Sequence, residues 1–162
     1  CGTKFEILLP ASQDAIEGDQ PKPPTVGAKR LRILVMDDEP SVRQLFANML
    51  THLGHESVTV AEGASAVDYY AAAADDGKPF DLAMFDLTVA GGVGGSDAAK
   101  MLLALHPSAR LIAVSGYSTD SVLGRYAESG FVDAMAKPFS VQTLQQTIER
   151  VTRSTNTSKT TR

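Results

Sequence analysis

Polar side chains follow several apolar segments of the chain, at the points where buried strands would end. Asp37 and Asp38 come directly after one such segment, and Asp86 comes after another. Short apolar runs bounded by polar residues are typical of buried β-strands. Two further segments end in a hydroxyl and an amine, Ser115 and Lys137. The chain therefore carries acids, a hydroxyl and a cation at positions that one sheet edge would gather.

These residue types in combination indicate phosphoryl transfer. Three carboxylates in one pocket repel each other unless a proton or a cation relieves the repulsion. With neither Cys nor His in the set, an all-oxygen site favours Mg2+, held by Asp38 and Asp86 together with a phosphoryl oxygen. Lys137 and Ser115 would contact other phosphoryl oxygens. Asp86 is then the in-line nucleophile, and attack by its carboxylate gives an aspartyl phosphate without a general base. His55, which opens a predicted strand, is expected to face solvent instead.

Strands and helices alternate from residue 31 onward. The predicted strands are 31–36, 56–61, 80–85, 110–115 and 132–136, and the predicted helices are 40–53, 64–74, 97–105, 120–129 and 141–151. This alternation predicts an α/β fold, a doubly wound five-stranded parallel sheet with helices on both faces. In the strand order 2-1-3-4-5 the first and third strands are central neighbours, which would bring Asp37, Asp38 and Asp86 together.

A glycine-rich segment follows Asp86. Its glycines at positions 91, 92, 94 and 95 predict a loop that turns sharply or that another part of the chain approaches closely. A dinucleotide-binding loop is another interpretation, but the segment lacks the third glycine of that motif and follows the third strand rather than the first. We therefore interpret this segment as the loop that displays Asp86 at the end of its strand.

Composition narrows the range of functions. The net charge of -4, the sequence pI of about 5.3 and the absence of a dense Lys/Arg cluster argue against binding to nucleic acid. Cys1 is the only cysteine, so neither a disulfide framework nor a cysteine metal site is expected, and a reducing compartment fits. No apolar run approaches the roughly 20 residues that span a bilayer, and no signal-peptide pattern is present. We expect no direct membrane contact by this segment.

The two ends of the chain differ from the region between them. Residues 1–10 alternate weakly and predict one isolated strand. Residues 11–29 contain Ser, Gln, Asp, Gly and three prolines, as linkers do. Residues 154–162 are polar throughout and predict a disordered tail. Residues 30–153 form the predicted domain, and a first residue other than Met suggests a piece of a longer protein.

In this order, and each at a strand end, the polar residues resemble those of the receiver domain of two-component response regulators, the CheY-like family with a flavodoxin-like fold. Asp37 and Asp38 are similar to the acidic metal pair of that family, and Asp86 is similar to its phosphoacceptor. Ser115 is similar to the Ser or Thr of strand 4, and Lys137 begins a Lys-Pro-Phe motif similar to that of strand 5. The resemblance covers residues 31 to about 153.

The resemblance adds two features to the predicted site. The backbone carbonyl of Thr88 would join the three carboxylates as an Mg2+ ligand. The peptide bond between Lys137 and Pro138 would be cis, which an X-Pro bond allows at small cost. Two positions depart from the family pattern: Ala90 replaces a proline of the loop, and Ala134 replaces an aromatic residue that turns inward on phosphorylation. A switch coupled to that aromatic residue is therefore not expected.

The resemblance also implies a function. A receiver takes its phosphoryl group from a phosphohistidine on a histidine kinase or a phosphotransfer protein, and phosphorylation changes its contacts with other proteins. We expect the changed surface to be formed by helix 120–129, the fifth strand and the last helix. The chain would promote its own phosphorylation without being an enzyme that turns over substrate.

Residues 2–10 resemble the last strand of the ATP-binding domain of histidine kinases, whose ending often reads Gly-Thr-x-Phe-x-Ile-x-Leu-Pro. Followed by a proline-bearing linker and a receiver, they indicate the carboxyl end of a hybrid sensor histidine kinase. The ATP-binding motifs of that domain are absent, so this chain is not expected to bind ATP. The expected location is cytoplasmic, whether or not a parent sensor kinase is anchored in a membrane.

Three other interpretations compete with a phosphoacceptor. Asp38 and Glu39, just before Pro40, would also suit the amino terminus of a helix as a simple charge pair. A phosphohydrolase similar to the haloacid dehalogenases uses an Asp nucleophile with Ser or Thr, Lys and Mg2+, but it places the nucleophile on the first strand and the acidic pair last. A receiver-like module that only binds proteins would not need all five site residues. The order of the strand ends favours the phosphoacceptor.

Overall fold

A computed structural model describes residues 29–88, 92–116 and 126–153. The strands in these ranges are β1 (Arg32–Met36), β2 (Glu56–Val60), β3 (Leu82–Asp86), β4 (Leu111–Ser115) and β5 (Asp133–Ala136). The helices are α1 (Pro40–His52), α2 (Gly63–Asp75), α3 (Gly95–Leu105) and α4 (Val141–Arg153), with a 3-10 helix at Tyr126–Ser129. Among the helices of these ranges, none has both the length and the apolar composition to cross a membrane.

The five strands form one parallel sheet in the order β2-β1-β3-β4-β5, which confirms the predicted fold. The register brings the carboxyl ends of the strands level with each other. Asp86 in β3 lies opposite Val114 of β4, the neighbour of Ser115. Asp37 and Lys137 follow directly after β1 and β5. The predicted site residues therefore reach the same edge of the sheet.

Both faces of the central strands β1, β3 and β4 are buried, which explains why these strands read as apolar runs. Side chains alternate along β1, so Leu34 belongs to the apolar cluster formed with α2 and α3. Its neighbour Ile33 belongs to the cluster formed with α1 and α4, where Phe46 and Leu144 are fully buried. The central strands β1 and β3 are thereby held from both sides, and they position the acids at their ends.

The predicted strands and helices agree with the observed ones to within two residues, except at 120–129. β3 begins at Leu82 rather than at residue 80. The residue before it, Asp81, accepts the backbone N–H of Arg32 with its carboxylate at 2.9 Å. The described end of the predicted helix 120–129 is a 3-10 helix, Tyr126–Ser129. It ends at Gly130, whose φ of +85° stops further helix.

Some predicted segments lie outside the described residues. They are the strand at 1–10, the linker up to residue 28, the first part of helix 120–129, the tail at 154–162 and the loop position Ala90. Lys29, the last residue of the predicted linker, is described, and its Nζ lies 2.8 Å from Oδ1 of Asp81.

His55 joins the start of β2 to the start of β1. It is half-buried, and the prediction that it faces solvent is therefore wrong. Its Nδ1 lies 3.4 Å from the backbone N–H of Leu31, which donates to it. Burial lowers the pKa of His55, and the negative charge of Asp81 offsets only part of this effect. The folded state thus resists protonation of this side chain more than the unfolded state does.

The substitution His55→Asn is expected to make stability less dependent on pH. Because the folded state disfavours the imidazolium, wild-type stability should fall as the pH drops below about 6.5, the ordinary histidine value. Asn keeps an acceptor oxygen near the position of Nδ1 but does not titrate. Urea unfolding at about pH 7.5 and about pH 5.5, on either side of that value, measures the effect. An equal change in the free energy of unfolding in both proteins would contradict the prediction.

Candidate functional site

Asp86 ends β3 at the centre of the sheet, and only 2% of the residue is exposed. Its Oδ1 accepts hydrogen bonds from the backbone N–H of Thr88 (2.9 Å) and from the Thr88 hydroxyl (2.7 Å). Its Oδ2 lies 2.7 Å from Nζ of Lys137. Both carboxylate oxygens are therefore held, and the side chain has one defined orientation.

The turn after β1 supplies two more carboxylates in different surroundings. Asp37 is buried; its Oδ1 accepts the backbone N–H of Glu39 (3.0 Å), and its Oδ2 lies 2.5 Å from Nζ of Lys137. Asp38 is exposed. The guanidinium of Arg43 donates to the backbone carbonyl oxygens of Asp37 (2.7 Å) and Asp38 (2.9 Å). Lys137 thus fixes the Asp37 carboxylate, while Arg43 fixes the backbone that carries both acids.

Asp37, Asp38 and Asp86 lie close enough to share one cation. One carboxylate oxygen from each lies within 4.8 Å of the other two. Lys137 offsets one of the three negative charges, so the remaining charge matches that of a divalent ion. Hard divalent cations such as Mg2+ prefer a set of oxygen donors of this kind. The residues present therefore fit the metal that the sequence predicts.

Burial governs the ionisation of this cluster. It raises the pKa of Asp37 overall, against the hydrogen bonds from Lys137 and from the N–H of Glu39, which lower it. Burial also acts to lower the pKa of Lys137, but the hydrogen bonds with Asp37 and Asp86 outweigh it, and the pKa of Lys137 is raised. Lys137 is therefore a cation at neutral pH, placed between two buried acids.

Ser115 and Lys137 lie beside each other at the ends of β4 and β5. The backbone N–H of Lys137 donates to the carbonyl oxygen of Ser115 at 2.7 Å, and Ser115 is buried. The peptide between Lys137 and Pro138 is cis, which confirms what the resemblance implied. The structure therefore brings Ser115 and Lys137 to the sheet edge of Asp86, with Lys137 in direct contact with it.

The loop after Asp86 packs against the backbone of the site. Gly92 has a φ of +67°, which confirms the predicted sharp turn. A Cβ atom at Gly95 would lie 2.2 Å from the carbonyl oxygen of Asp86, which confirms the predicted close approach. The loop is also tied to α2, because the backbone N–H of Gly63 donates to the carbonyl oxygen of Val93 at 3.1 Å. The start of α3 thus lies directly against the end of β3.

Three contacts of the site were not predicted from the sequence. They are the Thr88 hydroxyl on Asp86, the Arg43 guanidinium on two carbonyl oxygens, and the contact of Gly63 with the loop. A hydroxyl two residues after an acid often bonds locally, and this was the available signal for Thr88. Arg43 and Gly63 carry no comparable signal, because their contacts depend on how a helix packs against a neighbouring turn.

The family model for the response regulator receiver domain matches residues 33–149. The chain belongs to this family. Receivers of this kind are part of two-component regulatory systems, and the match covers the whole set of site residues from Asp37 to Lys137. The family assignment made from the strand ends is therefore confirmed.

Known proteins similar to this receiver differ in their overall length. The transcriptional regulatory protein TcrA of Mycobacterium tuberculosis is 33% identical over 115 residues, which are 70% of this chain and 43% of that protein. Sensor kinase CckA of Brucella abortus is 27% identical in an alignment that covers 93% of this chain and 16% of the kinase. This chain therefore spans less than half of either relative.

The fold is shared with solved receiver structures. A chain in the crystal structure of the CheX-CheY-BeF3-Mg+2 complex from Borrelia burgdorferi matches with a TM-score of 0.69 at 20% sequence identity. The match covers 75% of this chain and 89% of that one. At this level of identity the likeness establishes the common fold.

Proposed function

We propose that this receiver accepts a phosphoryl group from a phosphohistidine onto Asp86, with Mg2+ held by Asp37, Asp38 and Asp86. Phosphorylation then changes its contacts with other proteins. The position of Asp86 supports this proposal most. It is a buried carboxylate at the centre of the sheet edge, with two further acids within 4.8 Å and an ammonium group at 2.7 Å.

The transfer uses the side-chain carboxylate of Asp86 as the nucleophile. One of its oxygens attacks the phosphorus in line with the imidazole of the donor. The new O–P bond forms as the P–N bond breaks, and the imidazole leaves with the electron pair of that bond. A carboxylate nucleophile needs no base to remove a proton. The protein supplies position and charge rather than proton transfer.

Lys137 has to change partners during the transfer. It contacts the Oδ2 atoms of Asp37 and Asp86 before phosphorylation. The phosphoryl oxygens then carry the strongest negative charge within reach, so Lys137 binds one of them and the hydroxyl of Ser115 binds another. Mg2+, when bound, would neutralise phosphoryl charge, and the backbone carbonyl of Thr88 would be a further ligand. The shifts of Lys137 and Ser115 carry the change to β4, β5 and the adjoining surface.

We also propose a place for this receiver in a longer protein. Receiver residues 30–153 follow a linker at 11–29 and the last strand of a histidine-kinase ATP-binding domain at 1–10. The alignment with sensor kinase CckA supports this layout: residues 30–162 make up about four fifths of the chain, so a match over 93% includes part of 1–29. The phosphoryl donor is then a histidine of that kinase or of a phosphotransfer protein, and the receiver acts in the cytoplasm without being an enzyme itself.

Incubation with acetyl phosphate, followed by intact mass spectrometry, tests the proposed function. The wild-type chain should gain one phosphoryl group with Mg2+ and none after EDTA removes the metal. Asp86→Asn should gain none in either case. Asp68→Asn, which alters an exposed acid of α2, is the matched control and should be labelled like the wild type. Labelling of Asp86→Asn to the wild-type extent would overturn the proposal.

The same experiment separates two other functions. Release of many equivalents of inorganic phosphate, with no accumulation of labelled chain, would indicate an Asp-nucleophile phosphohydrolase. An unlabelled wild type in the presence of Mg2+ would indicate a receiver-like module that only binds proteins.

A further inference from the structure

Arg43 holds the turn that carries the two acids after β1. It lies in the first turns of α1 and is partly buried. Its Nη1 donates to the carbonyl oxygens of Asp37 at 2.7 Å and of Asp38 at 2.9 Å. These two carbonyls belong to the peptide planes on either side of the Asp38 Cα atom. Because the orientation of the two planes sets both backbone dihedral angles of Asp38, one guanidinium fixes the direction in which its side chain leaves the backbone.

The three acids of the cluster differ in how their carboxylates are held. Asp86 is held by Thr88 and Lys137, and Asp37 is held by Lys137 and the N–H of Glu39. Within the described part of the chain, the carboxylate of the exposed Asp38 accepts no such hydrogen bond. The position of that carboxylate therefore depends on its backbone, which is the part that Arg43 holds.

The stability of α1 does not explain a cation at this position. A positive charge near the amino terminus of a helix opposes the helix dipole. Arg43 also forms no ion pair with any of the described residues, so its charge is not used in a salt bridge. The two carbonyl contacts are therefore what this side chain contributes.

We infer that Arg43 is a positioning residue for the Mg2+ site. It holds the backbone of Asp38 so that the Asp38 carboxylate is placed to act as a ligand before the ion binds. This inference rests on the metal site of the proposed function. Groups that orient metal ligands from outside the coordination sphere commonly change metal affinity by tenfold or more. The charge of Arg43 works in the opposite direction, because a nearby cation repels Mg2+. The two effects therefore predict opposite signs for the loss of Arg43.

Calorimetric titration of the unphosphorylated chain with Mg2+ distinguishes these effects. If Arg43 positions Asp38, Arg43→Met should raise the Kd for Mg2+ by about tenfold, although it removes a repelling charge. Arg43→Lys keeps the positive charge and an N–H donor, and it should recover part of the affinity. Arg153→Met removes an exposed guanidinium at the end of α4 and should leave the Kd unchanged. Unchanged or tighter binding by Arg43→Met would overturn the inference.

Labelling by acetyl phosphate supplies a second measurement. Arg43→Met should need about tenfold more Mg2+ for half-maximal labelling but should reach a rate within about twofold of the wild type at saturating Mg2+, because Asp86 itself is untouched. A lower rate at saturation with an unchanged Mg2+ requirement would contradict a positioning role. If the wild-type chain bound no Mg2+, that result would contradict both the proposed function and this inference.

Discussion

Gly95→Ala should destabilise the fold by about 3 kcal/mol, the cost of forcing an atom into a well-packed interior. The added Cβ would lie 2.2 Å from the carbonyl oxygen of Asp86 and 2.9 Å from its carbonyl carbon. Both atoms belong to the backbone of β3, which is paired with β1 on one side and β4 on the other. This backbone therefore cannot move aside as the end of a flexible side chain can. The intrinsic preference of alanine for a helix, about 1 kcal/mol, acts in the opposite direction and is too small to compensate.

Gly94→Ala is the matched control for this substitution. It changes the adjacent residue in the same way, but its Cβ would meet nothing within 4 Å, and its φ of -71° is accessible to alanine. Its free energy of unfolding should change by less than about 1 kcal/mol, the scale of a helix-cap substitution. Urea unfolding compares the two variants. Equal stabilities would contradict this prediction, because they would show that α3 moves away from β3 at little cost.

Gly94 and Gly95 also mark the limit of what the sequence predicts. The glycine-rich loop after Asp86 indicates a sharp turn or a close approach, and both occur. Nothing in the sequence tells which glycine does which, because the distance from Gly95 to Asp86 depends on how α3 packs against the sheet. The segment after Asp86 is thus predictable as a loop, whereas the contact between Gly95 and β3 that fixes it is a tertiary feature.

The gathering of the acids is predictable for a general reason. Parallel strands of similar length end at one edge of a sheet, so residues that follow apolar runs meet there irrespective of their distance along the chain. Asp37 and Lys137 are a hundred positions apart, and their side chains are in contact. The contact of Arg43 with the acidic turn could not be predicted in this way. It depends on the conformation of one side chain at the start of α1, and the apolar pattern of the strands contains no information on that conformation.

Lys137→Met should destabilise the chain by about 3 kcal/mol at neutral pH without Mg2+, the usual cost of removing one partner of a buried ion pair. The ammonium group lies between Oδ2 of Asp37 (2.5 Å) and Oδ2 of Asp86 (2.7 Å), and both acids are almost fully buried. Methionine fills a similar volume but leaves the two carboxylates facing each other without a cation. Saturating Mg2+ should restore part of the lost stability, since a ligand that binds only the folded state stabilises it by mass action.

Arg150→Met provides the comparison, because it also removes a cation paired with an acid. The Arg150 side chain is 58% exposed where it meets Asp133, so solvent screens this pair, and its loss should cost less than about 1 kcal/mol. Urea unfolding of both variants, each with and without Mg2+, measures the contrast. Two outcomes would contradict the prediction that Asp37 and Asp86 depend on a shared cation. The free energy of unfolding could fall no further in Lys137→Met than in Arg150→Met, or the fall in Lys137→Met could be the same with and without Mg2+. The proposed exchange of Lys137 from carboxylate to phosphoryl oxygen starts from this pairing with Asp37 and Asp86.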